Sequence, residues 1–169
     1  RYLTSHPIDI DDNLINQHKK NKKMMPLLHL PIQSGSDKIL KKMNRKHTKV
    51  DYLELTKKIR EKVKNMAFSS DFIIGYPGET DYDFQQTLEV IEKVKFASSY
   101  SFKYSPRPGT PASTSRKLID ENKANLRLKK IQKVLKDQQR DFNLSFIDET
   151  VEILFTDRGK KEKQFVGRT

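Results

Sequence analysis

Two hydrophobic periods alternate along this chain. Leu27 to Ile32, Ala67 to Ile74 and Ser98 to Tyr104 are largely apolar and stop at Gly, Ser or Pro, the pattern of buried strands. Between them apolar residues recur at helical spacing. Leu14 and Ile15 give a stripe to Asp11–Lys20, and Ile39, Leu40 and Met43 give one to Asp37–Met43. Leu53, Ile59 and Val63 do the same for Val50–Val63, and Phe84, Leu88 and Ile91 for Thr80–Val94, which Thr80 should N-cap. A long polar helix is expected from Asp120 to about Ser145, with Leu128, Ile131 and Leu135 packed inward and Lys129, Lys130, Lys133 and Lys136 in water. Tyr2-Leu3-Thr4 is also strand-like, so strands and helices alternate. That order implies right-handed crossovers and a parallel sheet or part of a barrel, an α/β class. Thr150–Phe155 then reads as a strand, and Asp157–Lys163 as a charged turn leading to Phe165 and Val166, the opening of a further β module.

Composition narrows the partners. With 169 residues and 34% hydrophobic content, one ordinary domain and a small appendage are expected around a lean core. A formal charge of +12 favours an anionic partner such as nucleic acid, although most of the basic residues are Lys, which A/T-rich codon usage alone also produces. No apolar run reaches the length of a membrane span and no signal-peptide pattern opens the chain, so a cytoplasmic location without a membrane partner is expected. The first residue is Arg1, leading straight into strand-like sequence, as in an internal piece of a longer protein. Cys is absent, which removes disulfides and thiolate metal sites from these residues. His6, His18, His29 and His47 lack metal-ligand spacing and read as structural or surface residues.

Three strand ends carry the candidate chemistry: His29 to Asp37 (HLPIQSGSD), Asp71 to Thr80 (DFIIGYPGET) and Ser101 to Ala112 (SFKYSPRPGTPA). In βα-repeat proteins such turns converge on one rim, where backbone N–H groups and short polar side chains meet a ligand. Gln33, Ser34, Ser36 and Asp37 offer two amide atoms, two hydroxyls and a carboxylate at one strand-to-helix turn, and Gly35 permits close backbone approach. The alternative is that Ser36 or Asp37 caps the helix that follows.

The segments HLPIQSGSD, LKKMNRKHT (Leu40 to Thr48), DFIIGYPGETDYDF (Asp71 to Phe84) and FKYSPRPGTPAS (Phe102 to Ser113), in this order, resemble the radical S-adenosylmethionine methylthiotransferases. The resemblance covers nearly the whole chain and is to the tRNA-modifying branch, with a ribosomal-protein methylthiotransferase and a non-catalytic RNA-binding module as the alternatives. It implies the second half of a partial (βα)6 radical-SAM barrel over residues 1–148 and the truncated start of a TRAM-like RNA-binding segment over residues 149–169. It also implies S-adenosylmethionine across the C-terminal strand ends, chelating the unique iron of a 4Fe-4S cluster. A 5′-deoxyadenosyl radical would then abstract hydrogen from C2 of N6-dimethylallyladenosine beside a tRNA anticodon, and a second cluster would take part in sulfur insertion. The implied partners are tRNA and a flavodoxin-like or ferredoxin-like electron donor. Cluster ligation needs a CxxxCxxC loop, which would lie before Arg1, so the chain alone is expected to be inactive.

The resemblance assigns cofactor contacts to Gln33, Ser34, Ser36 and Asp37, and gives the strand end at Gly75 an adenine to lie against. The GxIxGxxE pattern of the radical enzymes is matched except that Asp71 stands in place of its first Gly. Glu79 either serves that site or braces its own turn, and Asp71 reaches the rim only if strand alternation points it there. Arg45 is suited to clamp a carboxylate or phosphate, or else lies on the surface. Tyr104 is suited to stack on a base and Arg107 to bind a phosphate, with Lys160, Lys161, Lys163 and Arg168 as further RNA contacts.

Overall fold

The computed structural model describes residues 5–115 and 117–168, which leaves the strand-like Tyr2-Leu3-Thr4 outside the described residues. Helices begin where short polar side chains can satisfy their free N–H groups. Asp11 caps α1 (Asp12–Lys20) and Ser36 caps α2 (Asp37–Lys42), with β1 (Leu27–His29) between them. Thr48 and Asp51 form a reciprocal capping box on α3 (Lys49–Lys62), which starts the helix a residue earlier than its apolar stripe suggests. After β2 (Ala67–Ile74), Thr80 and Asp83 form a second capping box on α4 (Asp81–Val94). Then come β3 (Ser98–Lys103) and α5 (Glu121–Leu144), capped by Asp120.

β1, β2 and β3 lie in that order in one parallel sheet, with Leu28 opposite Phe68 and Asp71 opposite Tyr100. β1 is shorter than its apolar run: Leu30 N still donates to Ser69 O, but Ile32 N turns to the Ser70 hydroxyl instead of continuing the backbone ladder. Backbone pairing with β2 resumes at a bridge between Gln33 and Phe72. Strand alternation divides the sheet into two faces. Leu28, Leu30, Ile32, Phe68, Phe72 and Ile74 are buried in one core with Ile15, Ile59, Leu88, Ile91, Ile131 and Leu135 of the helices. The opposite face carries His29, Asp71, Ile73, Tyr100 and Phe102, and there Tyr100 and Phe102 are 65% and 54% exposed. Among the described residues, helices thus pack on one face and leave aromatic rings exposed on the other, as in a segment of a βα barrel.

The C-terminal part departs from expectation. Its first strand is β4 (Leu154–Arg158) rather than Thr150–Phe155, and it pairs antiparallel with β5 (Phe165–Arg168) around a bulge between Phe155 and Asp157. Arg158 therefore belongs to a strand, and the turn shortens to Gly159–Gln164, closed by Gly159 N donating to Gln164 O at 2.6 Å. Cross-strand pairing, which apolar periodicity does not encode, sets these limits.

Candidate functional site

At the C-terminal ends of the parallel strands an open cleft of about 920 Å³ brings together Gln33, Arg45, Asp71, Tyr104 and Arg107. Gln33 adopts φ +75°, rare for a residue with a Cβ, and is held there by its N–H on Asp71 O (3.0 Å) and its carbonyl on Ile73 N (2.9 Å). Arg45 follows a helix end in which Asn44 is left-handed, Asn44 N donates to Lys41 O and Arg45 N donates to Leu40 O, a Schellman turn. Burial lowers the pKa of its guanidinium.

Alternation along β2 turns Asp71 toward the cleft, where its Oδ2 lies 3.5 Å from Nε2 of His29; Nδ1 of His29 is 2.8 Å from the Ser69 hydroxyl. The Tyr104 ring packs edge-on against Tyr76 at 5.1 Å, and its hydroxyl is buried without a hydrogen-bond partner. Burial, and then Tyr104, raises the pKa of Tyr76, whose hydroxyl donates to Lys42 O. The sequence reading missed Lys42, Tyr76 and Phe102 in this lining. Phe102 was legible in principle, since it alternates with Tyr104 just past the end of its strand.

Behind the cleft the turn Gly75–Glu79 follows a different logic. Gly75 has φ +77°, and a Cβ added to it would meet the Ala124 Cβ at 3.1 Å, so that direction faces α5 rather than open cleft. The Glu79 carboxylate accepts from Gly75 N at 3.1 Å and pairs with the buried Arg127 at 2.6 Å. Burial pushes its pKa up, and Arg127 opposes that shift. The sequence reading also overlooked Arg127, the buried partner of Glu79. It occupies a helical-stripe position with Ala124, Ile131 and Leu135, all buried, and an Arg on such a stripe is a sign of a buried acid nearby.

Ser34, Ser36 and Asp37 do not line the cleft. Ser34 Oγ accepts from Ser36 N, and Ser36 Oγ donates to Asp83 at 2.7 Å while capping α2. Asp37 accepts from Lys49 N at 2.6 Å and so ties α2 to α3. A Cβ on Gly35 would come within 2.4 Å of Gln86 O, so this glycine serves close packing on α4. The three polar side chains expected to contact a ligand are engaged in joining helices. Burial alone would raise the Asp83 pKa, but hydrogen bonds from Lys38, Ser36 and Thr80 outweigh it and hold the carboxyl well below the usual range.

Lys160, Lys161 and Lys163 sit exposed on the β4–β5 turn, and Arg168 is exposed at the far end of β5. Among the histidines, His47 is buried with neither ring nitrogen hydrogen-bonded, beside the rings of His6 and Tyr52. Among the described residues no helix is long and apolar enough to cross a membrane.

The chain also resembles known proteins in sequence and in fold. A family model described as the Radical SAM superfamily matches residues 2–91. The chain is 51% identical over its whole length to the tRNA-2-methylthio-N(6)-dimethylallyladenosine synthase of Ehrlichia canis (strain Jake), of which it covers 38%. It is 52% identical to the synthase of the same name from Bartonella bacilliformis, covering all of this chain and 37% of that protein. The Rickettsia akari synthase is 50% identical, again over the whole chain and 38% of the relative. The chain thus spans well under half the length of the curated relatives it matches. Among solved structures, coproporphyrinogen III oxidase (HemN) from Escherichia coli, a radical SAM enzyme, superposes with a TM-score of 0.65 at 17% identity, over 80% of this chain and 31% of that one.

Proposed function

From the premise that this chain belongs to the radical SAM superfamily, we propose that it is the cofactor-binding half-barrel, and the start of an RNA-binding segment, of a tRNA methylthiotransferase that modifies C2 of N6-dimethylallyladenosine. The observation that carries the reading is the cleft. It gathers a carboxylate, an amide, two guanidinium groups and a buried unpartnered tyrosine hydroxyl at the C-terminal strand ends of a parallel sheet. Near-50% identity to named synthases along the whole chain supports the substrate.

The residues present fit S-adenosylmethionine. Its ammonium and ribose hydroxyls suit Asp71 and Gln33, its carboxylate suits Arg45, and the orphaned Tyr104 hydroxyl has a hydrogen bond to give. Gly75, Glu79 and the turn they close shape the wall from behind, with Ser34, Ser36 and Asp37 holding the loop beside it. When bound, the cofactor supplies the one-electron chemistry that opens an unactivated C–H bond. The residues do not fit an iron-sulfur cluster, because the chain holds no Cys to ligate one.

Arg107 at the cleft rim and Lys160, Lys161, Lys163 and Arg168 on the hairpin supply cations for the RNA phosphates, while Tyr104 offers a ring to an unstacked base. On this reading residues 149–169 open a TRAM-like domain after a half-barrel of residues 1–148, and the protein works in the cytoplasm. The test is nucleoside mass analysis of tRNA incubated with the intact reconstituted protein, S-adenosylmethionine, sulfide and reductant. The expected product is the 2-methylthio nucleoside. Modification of a ribosomal protein instead, or of neither, overturns the proposal.

A further inference from the structure

We infer that Arg127, on α5 and outside the cleft, is a positioning residue that sets the cofactor-facing turn Gly75–Glu79. The inference rests on the reading of the cleft as an S-adenosylmethionine site.

One guanidinium grips the end of this turn from three directions. Nη1 donates to both the Glu79 carbonyl (3.2 Å) and the Glu79 Oε1 (2.6 Å), and Nη2 donates to Asp81 Oδ1 (2.6 Å). Glu79 passes the constraint to the start of the turn, since its Oε2 accepts from Gly75 N. The carboxyl group is a bridge between a strand end and a helix, and Arg127 opposes the upward pull of burial on its pKa. The guanidinium also lies over the Phe84 ring at 5.5 Å, which fixes its plane, and Ala124 one turn earlier abuts Gly75.

Between the two ends of the turn stands Tyr76, which lines the cleft and packs on Tyr104. A turn released at Glu79 would let Tyr76 move, and with it the wall that the cofactor's planar base meets. Arg is suited to this task because its planar fork serves three acceptors at fixed angles; the single ammonium of Lys cannot.

The experiment uses the intact protein with three variants: Arg127→Lys, Arg127→Met, and Glu79→Gln combined with Arg127→Met. S-adenosylmethionine affinity is read by equilibrium dialysis, RNA affinity by filter binding and folding by thermal midpoint. Arg127→Met is expected to weaken cofactor binding about tenfold or more while RNA affinity is unchanged. Arg127→Lys should retain the midpoint and recover only part of the affinity. If Arg127→Met does not fold, the double variant carries the test, because it buries no unpaired charge; it should fold and still bind cofactor weakly. Wild-type cofactor affinity in any folded Met variant, equal losses of cofactor and RNA binding, or failure of both Met variants to fold overturns the inference. No binding of S-adenosylmethionine by the wild-type protein instead overturns the reading of the cleft itself.

Discussion

His29 Nε2 and Asp71 Oδ2 face each other at 3.5 Å across two parallel strands, on the sheet face opposite the helix-packed core among the described residues. Parallel register puts His29 opposite Ser69, so Asp71 is its diagonal neighbour on the same face. The carboxylate remains partly exposed and is available to a ligand from the cleft side.

Asp71→Asn in the intact protein is therefore expected to lower S-adenosylmethionine affinity about tenfold, the scale of one charge-assisted hydrogen bond, with an unchanged thermal midpoint. Equilibrium dialysis decides it. Unaltered affinity would remove Asp71 from the site.

Gly75→Val is expected to destabilise the fold by more than about 2 kcal/mol, because a β-branched residue is strained at positive φ and its Cβ meets Ala124. Adding Ala124→Gly should relieve the contact but leave the backbone strain, so only part of the loss returns. Urea midpoints of the single and double variants measure the two terms, and full recovery in the double variant would refute the backbone part.

Ser36→Ala should cost about 1–2 kcal/mol of stability through the lost cap and the lost bond to Asp83, and leave cofactor affinity near wild type. A changed dialysis constant without a changed denaturation midpoint would return Ser36 to the ligand.

Stability should fall with acid in two windows. Burial, then His6 and Arg45, lowers the pKa of His47, so the unfolded chain binds more protons as pH drops below the usual histidine value near 6.5, and stability is lost from there downward. Asp83 has a depressed folded pKa, so its contribution is complete above the unfolded carboxyl value and is lost as pH falls toward the folded one. His47→Phe should reduce the slope of the first window, to which His6 and His18, also lowered by burial, contribute, and leave the second window unchanged. Denaturation midpoints from pH 8 to pH 3 would show this, and an unchanged slope near pH 6 would exclude His47.

Neutralising Lys160, Lys161 and Lys163 together is expected to weaken binding to many RNAs alike and to reduce the salt dependence, by up to about 0.7–0.9 units of log–log slope for each lysine on a phosphate. Filter-binding titrations across salt check this, and wild-type affinity with wild-type slope would place the RNA elsewhere.

The βα order, five helices and the three parallel strands were legible in the sequence because apolar period and short polar caps act locally, within a turn or a strand. The same local signals marked the three strand ends whose residues meet in the cleft. Sequence alone also settled that no thiolate cluster site lies in this chain, since a missing residue type cannot be supplied by folding. Tertiary structure decided which polar groups line the cleft. Ser36 reads equally as a cap or a contact until Asp83, far away in sequence, takes its proton donor. Asp71 reaches the cleft only through the pairing of β2 with both neighbours, and Arg127 acquires a role only when α5 is laid against Gly75. The β4–β5 limits likewise follow from pairing between segments. Each of these turns on contacts between residues distant along the chain, whose free energy no local pattern records.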